Sequence, residues 1–408
     1  MSYVDKKEIL ATFLEYTKIN TTAVAASTHL PSCSNQRDLA LHVINQLDGK
    51  DGITTEILDN AITTITLKPN DIEMPSIVFF AHLDTAADHT GDTKAQIISN
   101  YQGGNVALIN SNDVIYESEL ANYTGDDIII TDGTSLLGAD DKAAIASAVE
   151  AVKFMIATPS FKHGEIKIVL LPDEEIGIRG AKALDVDKLN ADFGICLDCC
   201  AIGEYVFENW YAGDAKVEFN GATAHPMSAK NKLVNSLVIA NEFFNLLPAQ
   251  ERPEHTEDRE GYFWCQNLSG DTALTTLNIA IRDFELEGYK SRKLLLQEIT
   301  SLLQFKYGED RIKLTLSDTY SNVKEGLDKN PQIISSVQQA MNNLGITPTP
   351  LLMRGGYDGS VITPNGLPTI NIFTGAHNFH STKEFLPVSS LKSAADMLIE
   401  MTKLSGEK

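Results

Sequence analysis

The chain has 408 residues, 43% of them hydrophobic and 22% charged, with 27 Gly and 14 Pro, which excludes collagen-like and fully disordered classes. Its 33 basic and 55 acidic residues give a net charge of −22, which argues against nucleic acid and anionic membrane surfaces as partners. The apolar runs, at 76–80, 128–131, 166–171 and 367–373, fall short of the ~20 residues that span a bilayer. The opening MSYVDKKEIL mixes charges and lacks an apolar core, so no secretory signal is expected. Five cysteines in a chain this long suit a reducing, cytoplasmic setting.

Taken in chain order, 5–19 places Ile9, Phe13, Leu14 and Tyr16 at helical spacing, and 34–47 does the same with Leu39, Val43, Ile44 and Leu47. Residues 52–58 and 61–67 alternate and predict a hairpin. Strand-like runs follow at 76–80, 127–131, 165–171 and 191–197, with a helix at 142–156. Continuous apolar strands between helices predict a buried, largely parallel sheet with helices on both faces. The stretch 84–126, rich in Gly, Asn and Asp, reads as a flap or a small β excursion. From 214 the order is strand, helix, two strands joined by a turn, helix, strand, the ferredoxin-like βαββαβ pattern. The expected organisation is therefore an inserted domain over 210–321 within a first domain made of 1–209 and 322–408.

Five positions close to strand ends carry the chemistry. In an extended segment residues two apart face the same way, so Asp84 can hold the ring of His82 while its other nitrogen faces a metal. Asp140 stands just before a helix, where an Asp can cap the helix or display a carboxylate able to bridge two metals. Asp173, Glu174 and Glu175 follow a buried strand; one acid there can bind metal while another accepts a proton from water. Asp198 ends the run 191–197, and His380 lies near the C-terminus. His82, Asp140, Glu175, Asp198 and His380 supply two imidazoles and three carboxylates without a thiolate, a set that suits two divalent ions, with Zn²⁺ the first choice.

The stretches AHLDT (81–85), TDGTSLLGADDKA (131–143), LPDEEIG (171–177), ATAHP (222–226), IRDFE (281–285), RGGYDG (354–359) and FTGAHNFHSTKEF (373–385) resemble, in order, those of the M20 family of co-catalytic zinc peptidases. NYQGGNVAL (100–108) is similar to its tripeptide aminopeptidase branch, the peptidase T group. The resemblance implies a zinc-dependent exopeptidase-like α/β catalytic domain with an inserted ferredoxin-like lid that dimerises. It implies two Zn²⁺ per subunit on His82, Asp140, Glu175, Asp198 and His380, with Asp140 bridging. It also implies Glu174 as general base, Asp84 as the acid orienting His82, His225 as a lid histidine able to reach the partner's site in a homodimer, and Arg282 and Arg354 as substrate-binding arginines. The implied reaction is removal of the N-terminal residue from tripeptides. M20 relatives also include N-acyl amino acid deacylases and dipeptidases. A catalytically silent peptide-binding dimer is the non-enzyme alternative, and intact Glu174 argues against it.

Four positions depart from the expected pattern: Cys199-Cys200 after Asp198, Ala144, Tyr357 and Ser381. Cys196 and Cys199 read as C-x-x-C, a redox spacing, although inert thiols are the expectation. Tyr357, beside Arg354, is expected to add bulk near substrate. Asp141 and Lys142 are read as supports of the Asp140 loop, and Trp210 and Trp264 as packing. His29, His42, His89, His163 and His255 have no motif around them, and His377 is not expected to be a ligand.

Overall fold

The computed structural model describes residues 2–406, which form two compact units. The first comprises residues up to Phe207, then Val323–Leu351, then from Tyr357 onward; the second comprises Glu208–Asn322 with Leu352–Gly356. The segment 352–356 thus joins the second unit, where the sequence reading kept it in the first.

The first unit is built on an eight-stranded sheet in the order Ile53–Ile57, Thr63–Leu67, Ile166–Leu171, Ile77–His82, Phe193–Cys196, Thr369–Ile372, Glu204–Asn209, Thr349–Met353. The last two strands run across the unit boundaries. Four central strands, from 166–171 to 369–372, are mutually parallel, and the hairpin 53–67 and the strand 204–209 add to them antiparallel. Every residue of 77–82, 166–171, 193–196 and 369–372 is buried, which is why these strands read as unbroken apolar runs rather than alternations. Gly194 lies mid-sheet because a Cβ there would meet Thr369 Oγ1 at 2.6 Å and the Phe80 ring at 2.7 Å.

Helix Ala139–Ala157 packs against strand 77–82 and against helices Lys6–Thr17 and Val388–Leu404. Its alanine-rich face permits that approach: Ala143, Ala144, Ala146 and Ala151 are fully buried. Helix Lys6–Thr17 starts at Asp5, whose carboxylate accepts from the amides of Lys7 and Glu8. The expected strand at 127–131 exists as Ile128–Ile130, but it belongs to a separate antiparallel sheet with Gln96–Ile98 and Leu386–Pro387. All three isoleucines are buried, Ile128 and Ile130 in one core with Tyr101, Leu120 and Phe385, so burial without alternation points to the main sheet where the strand does not go. The 84–126 stretch is a β excursion, with strands at 96–98, 106–107 and 114–115.

The second unit carries an antiparallel sheet in the order Tyr262–Gly270, Leu274–Asp283, Tyr211–Asn220, Ile312–Tyr320, with helices Ser236–Leu246 and Leu286–Tyr307. This is the ferredoxin-like βαββαβ arrangement. Its own core joins Val217, Phe219, Leu277 and Ile279 from the sheet to Ile239, Phe243, Leu296 and Leu303 from the helices.

Candidate active site

The parallel strands of the first unit deliver their carboxyl ends to one place. Strand 77–82 ends on His82, strand 166–171 leads into Asp173-Glu174-Glu175, strand 193–196 into Asp198, and strand 369–372 into the segment bearing His380. Ligand sites of open α/β sheets form at such ends because the backbone leaves the sheet there and side chains of several strands converge. Asp140 arrives from another direction, at the start of helix 139–157.

Three sets of donor atoms lie within 4.8 Å of one another: His82, Asp140 and Asp141; His82, Glu174 and Asp198; Asp140, Glu175 and His380. His82 Nε2 is 2.8 Å from Asp140 Oδ1 and 4.0 Å from Asp198 Oδ1. His380 Nε2 is 3.0 Å from Glu175 Oε2 and 3.5 Å from Asp140 Oδ2. Asp140 therefore spans the two imidazoles, one on each oxygen. All five sequence-predicted ligands meet here, and Glu174 joins His82 and Asp198.

Asp84 faces His82 and has a second task. Its backbone carbonyl lies 3.0 Å from His82 Nδ1, and its carboxylate pairs with the same nitrogen at 3.5 Å. The two carboxylate oxygens also accept the amides of Glu174 and Glu175, at 2.9 and 3.1 Å. This buried acid thus ties the His82 strand end to the acidic loop. Asp173 ties that loop elsewhere: it accepts from Ser32 N and Gln36 Nε2, each at 2.7 Å, and pairs with Arg179 at 3.2 Å. Asp173 and His380 both hold left-handed backbone, with φ near +58°, a strained conformation for such residues that concentrates at functional sites.

The electrostatics suit cations. Hydrogen bonds to Asp140 and Glu175 push His380 up to about 11, while the two imidazoles hold Asp140 below the usual carboxylate range despite its burial. Burial, reinforced by neighbouring acids, pushes Glu174, Glu175 and Asp198 up. Glu175 Oε1 is buried without a hydrogen-bond partner. An orphaned carboxylate oxygen among imidazoles and crowded acids fits divalent metal, since two positive charges offset what these residues otherwise meet by holding protons.

Several contributors lie outside the predicted set of site residues. Asn371, buried inside an apolar strand, receives Asp198 N on Oδ1 and donates Nδ2 to Asp198 O, both at 2.8 Å. A lone Asn in Thr-Ile-Asn-Ile was the available clue. Glu384 accepts from the amides of Gly138 and Asp140. Asp358 is buried with Oδ1 unpartnered, and burial pushes its carboxyl up to about 7 against the pull of His82. Asp141 accepts from His82 N at 3.0 Å, and Lys142 Nζ donates to Ile19 O at 2.7 Å.

Two expectations are corrected. Tyr357 does not border a substrate space: its ring is fully buried and its hydroxyl donates to Thr369 O at 3.2 Å. The expectation of inert thiols is corrected as well: Cys199 forms a vicinal disulfide with Cys200, while Cys196 stays a buried free thiol, so no C-x-x-C pair forms. Cys196 is buried at the end of strand 193–196, among Asp358, Asp198 and Asp141.

His377 lies beside the site and stays neutral. Its ring stacks on Phe385 with centroids 4.6 Å apart, its Nε2 is 2.6 Å from the Tyr123 hydroxyl, and burial lowers it to about 4. An unfolded histidine takes a proton below about 6.5. Between that value and about 4 the unfolded chain binds the extra proton, so this residue costs stability as pH falls through the window, and no more below it. Denaturant unfolding at several pH values should show a shallower loss across this window for His377→Gln than for the unaltered chain; parallel curves would contradict a neutral buried His377.

In the second unit, His225 is exposed on a loop whose base is closed by two bonds of 2.8 Å between Ala222 and Val234. Its Nδ1 accepts from Met227 N at 3.2 Å, which leaves the ring proton on Nε2, facing outward as a donor. Arg282 is occupied: Nη1 donates to Gly213 O and Ile281 O, both at 2.9 Å. Arg354 is exposed, with its guanidinium over the buried Trp210 ring at 4.9 Å and over Tyr262 at 5.9 Å. Trp210, expected only to pack, also serves as a platform for this arginine.

Residues 136–403 match the description "Peptidase family M20/M25/M40". The chain belongs to this peptidase family. A relative named Peptidase T from Halothermothrix orenii (strain H 168 / OCM 544 / DSM 9562) is 40% identical over 98% of this chain and 100% of its own. Among solved structures, aminopeptidase PepT from Bacillus cereus ATCC 10987 superposes with a TM-score of 0.79 at 22% identity, covering 99% of both chains. A tripeptidase from Staphylococcus aureus subsp. aureus mu50 gives 0.77 at 22% identity, covering all of both chains. These two superpositions establish the M20-type fold; the sequence relative extends the likeness along nearly the whole chain.

Proposed function

We propose that this M20 chain is a metallo-aminopeptidase that removes the N-terminal residue from tripeptides. The observation that carries the reading is the convergence of His82, Asp140, Glu175, Asp198 and His380 at the strand ends with Glu174 beside them. The names of the relative and of the two structural neighbours support the substrate class.

Two zinc ions per subunit, held on His82, Asp140 and Asp198 and on Asp140, Glu175 and His380, would supply positive charge to the scissile carbonyl and lower the pKa of an attacking water. Glu174 takes the proton of that water on its carboxylate and passes it to the departing amine. Asp84 keeps the Glu174 backbone and the His82 ring in place for this exchange. In a homodimer formed through the second unit, the outward Nε2–H of His225 donates to the carbonyl oxygen of the partner's substrate as negative charge builds there. Exposed Leu294, Leu302 and Phe305 on helix 286–307 support an apolar pairing surface. Arg354, and Arg282 to a smaller extent, receives the peptide's C-terminal carboxylate. A cytoplasmic setting belongs to the same proposal.

An acidic site favours a protonated amine over a blocked one. Charge-assisted hydrogen bonds are worth about 1.5–3 kcal/mol each. Losing one should lower kcat/KM by roughly ten- to a hundredfold, at about 1.4 kcal/mol per decade. A free tripeptide, its N-acetyl form and its C-terminal amide, compared at matched concentration with the released residue identified, test this. Both blocked forms should be slower by that factor. An N-acetyl form cleaved as fast as the free peptide would overturn the aminopeptidase reading in favour of a deacylase.

A further inference from the structure

The segment bearing His380 is a loop closed on itself. His377 and Phe385 exchange two backbone hydrogen bonds, of 2.9 and 3.2 Å, and Glu384 N donates to Ser381 O at 3.0 Å. Asn378 Nδ2 donates across the loop to Lys383 O at 3.2 Å. His380 is near the tip, and Glu384 lies on the returning limb, only 1% exposed.

The carboxylate of Glu384 leaves this loop and enters the other one. Its Oε2 accepts Gly138 N at 2.8 Å and its Oε1 accepts Asp140 N at 3.1 Å. Gly138 holds φ +71°, a conformation that glycine adopts without cost, and the two amides on either side of Ala139 thereby point at one carboxylate. Asp140 and Asp141 hold non-helical backbone ahead of the regular helix, so these buried amides need a partner outside it, and a carboxylate supplies one. One buried side chain therefore sets the backbone from which Asp140 projects relative to the loop from which His380 projects. Its span is 244 residues in sequence.

Resting on the two-metal reading above, we infer that Glu384 is a positioning residue that fixes Asp140 against His380, and so sets the metal affinity of the Asp140–Glu175–His380 site more than that of the His82–Asp198 side. Both carboxylate oxygens accept, so the isosteric Glu384→Gln must turn an NH₂ toward a backbone N–H. One bond is then lost and one buried donor is left bare. Partners of this kind, behind the ligands themselves, change metal affinity by about 10- to 100-fold. The His82 side keeps its own supports, Asp84, Asp141 and Asn371, which the substitution does not touch.

Stepwise Co²⁺ titration of the metal-free full-length chain, read by visible absorption and calorimetry, tests this, with thermal unfolding of the metal-free and loaded forms alongside. Glu384→Gln should weaken one binding step about 10- to 100-fold and the other by a smaller factor, because Asp140 serves both. It should also shrink the metal-dependent rise in Tm, over and above the fall in metal-free Tm that the bared donor causes. Two unchanged steps with a lowered metal-free Tm would reduce Glu384 to a fold-stabilising residue and overturn the inference. If Glu384→Gln does not fold, Glu384→Asp, which retracts the carboxylate by one methylene, takes its place: one weakened step supports the inference and two unchanged steps overturn it. An unaltered chain that binds fewer than two Co²⁺ would instead overturn the two-metal reading, and the inference with it.

Discussion

Glu174→Gln is expected to lower turnover by about a hundred- to ten-thousand-fold, the range that a positioned general base contributes. Metal content should stay near that of the unaltered chain. Glu175→Gln should instead lose metal, because Glu175 faces His380 at 3.0 Å and has an orphaned oxygen to offer. The contrast is sharp because the two acids are neighbours, and Asp84 holds the backbone amides of both. It is also a demanding test, since Glu174 lies close enough to His82 and Asp198 to be a ligand itself. Zinc per subunit and hydrolysis rate, measured on both variants, decide the matter. Equal metal loss in both, or full activity in Glu174→Gln, would overturn the division of roles.

The second large effect concerns His225. His225→Ala should be nearly inactive, because the donor it removes faces developing negative charge, and such donors are worth about a hundred- to a thousand-fold in kcat. Its loop is exposed and its base is closed by backbone bonds, so the substitution, which removes the exposed Met227 N to His225 Nδ1 bond, should lower stability only slightly. Mixing inactive Glu174→Gln and inactive His225→Ala subunits under exchange should restore activity. In a symmetric dimer each mixed pair has one site with both groups intact, so an equal mixture should recover about one quarter of full activity. No recovery despite demonstrated exchange would contradict action across the dimer.

Much of this was legible because buried parallel strands and chemistry at their ends leave a joint trace. His82, Asp198 and the Asp173–Glu175 run each follow an apolar segment, and fully buried strands have no other way to present polar groups. The insertion was legible because alternation in 211–220 and 274–283 differs from the unbroken runs before it. Asp140 was found as a site residue, but its approach was not: Ile128–Ile130 has the composition of a central strand and pairs elsewhere, and local composition does not encode pairing partners. Glu384 and Asn371 escaped because their importance lies in backbone groups they reach across 173 or more residues. Tyr357 was misjudged for a related reason. Its neighbour Arg354 belongs to the other compact unit, so adjacency in sequence carried no information about where its ring goes. Cys196 and Cys199 fit a redox spacing, yet Cys199 pairs with its neighbour Cys200 and Cys196 stays free.

The proposed reaction needs two metal ions that share Asp140. Anomalous diffraction at the zinc edge, on crystals of the zinc-loaded chain with a tripeptide-like inhibitor bound, tests that most directly. Two peaks should appear, one between His82, Asp140 and Asp198 and one between Asp140, Glu175 and His380, with Glu174 facing the inhibitor's scissile position. A single peak, or peaks away from Asp140, would contradict it.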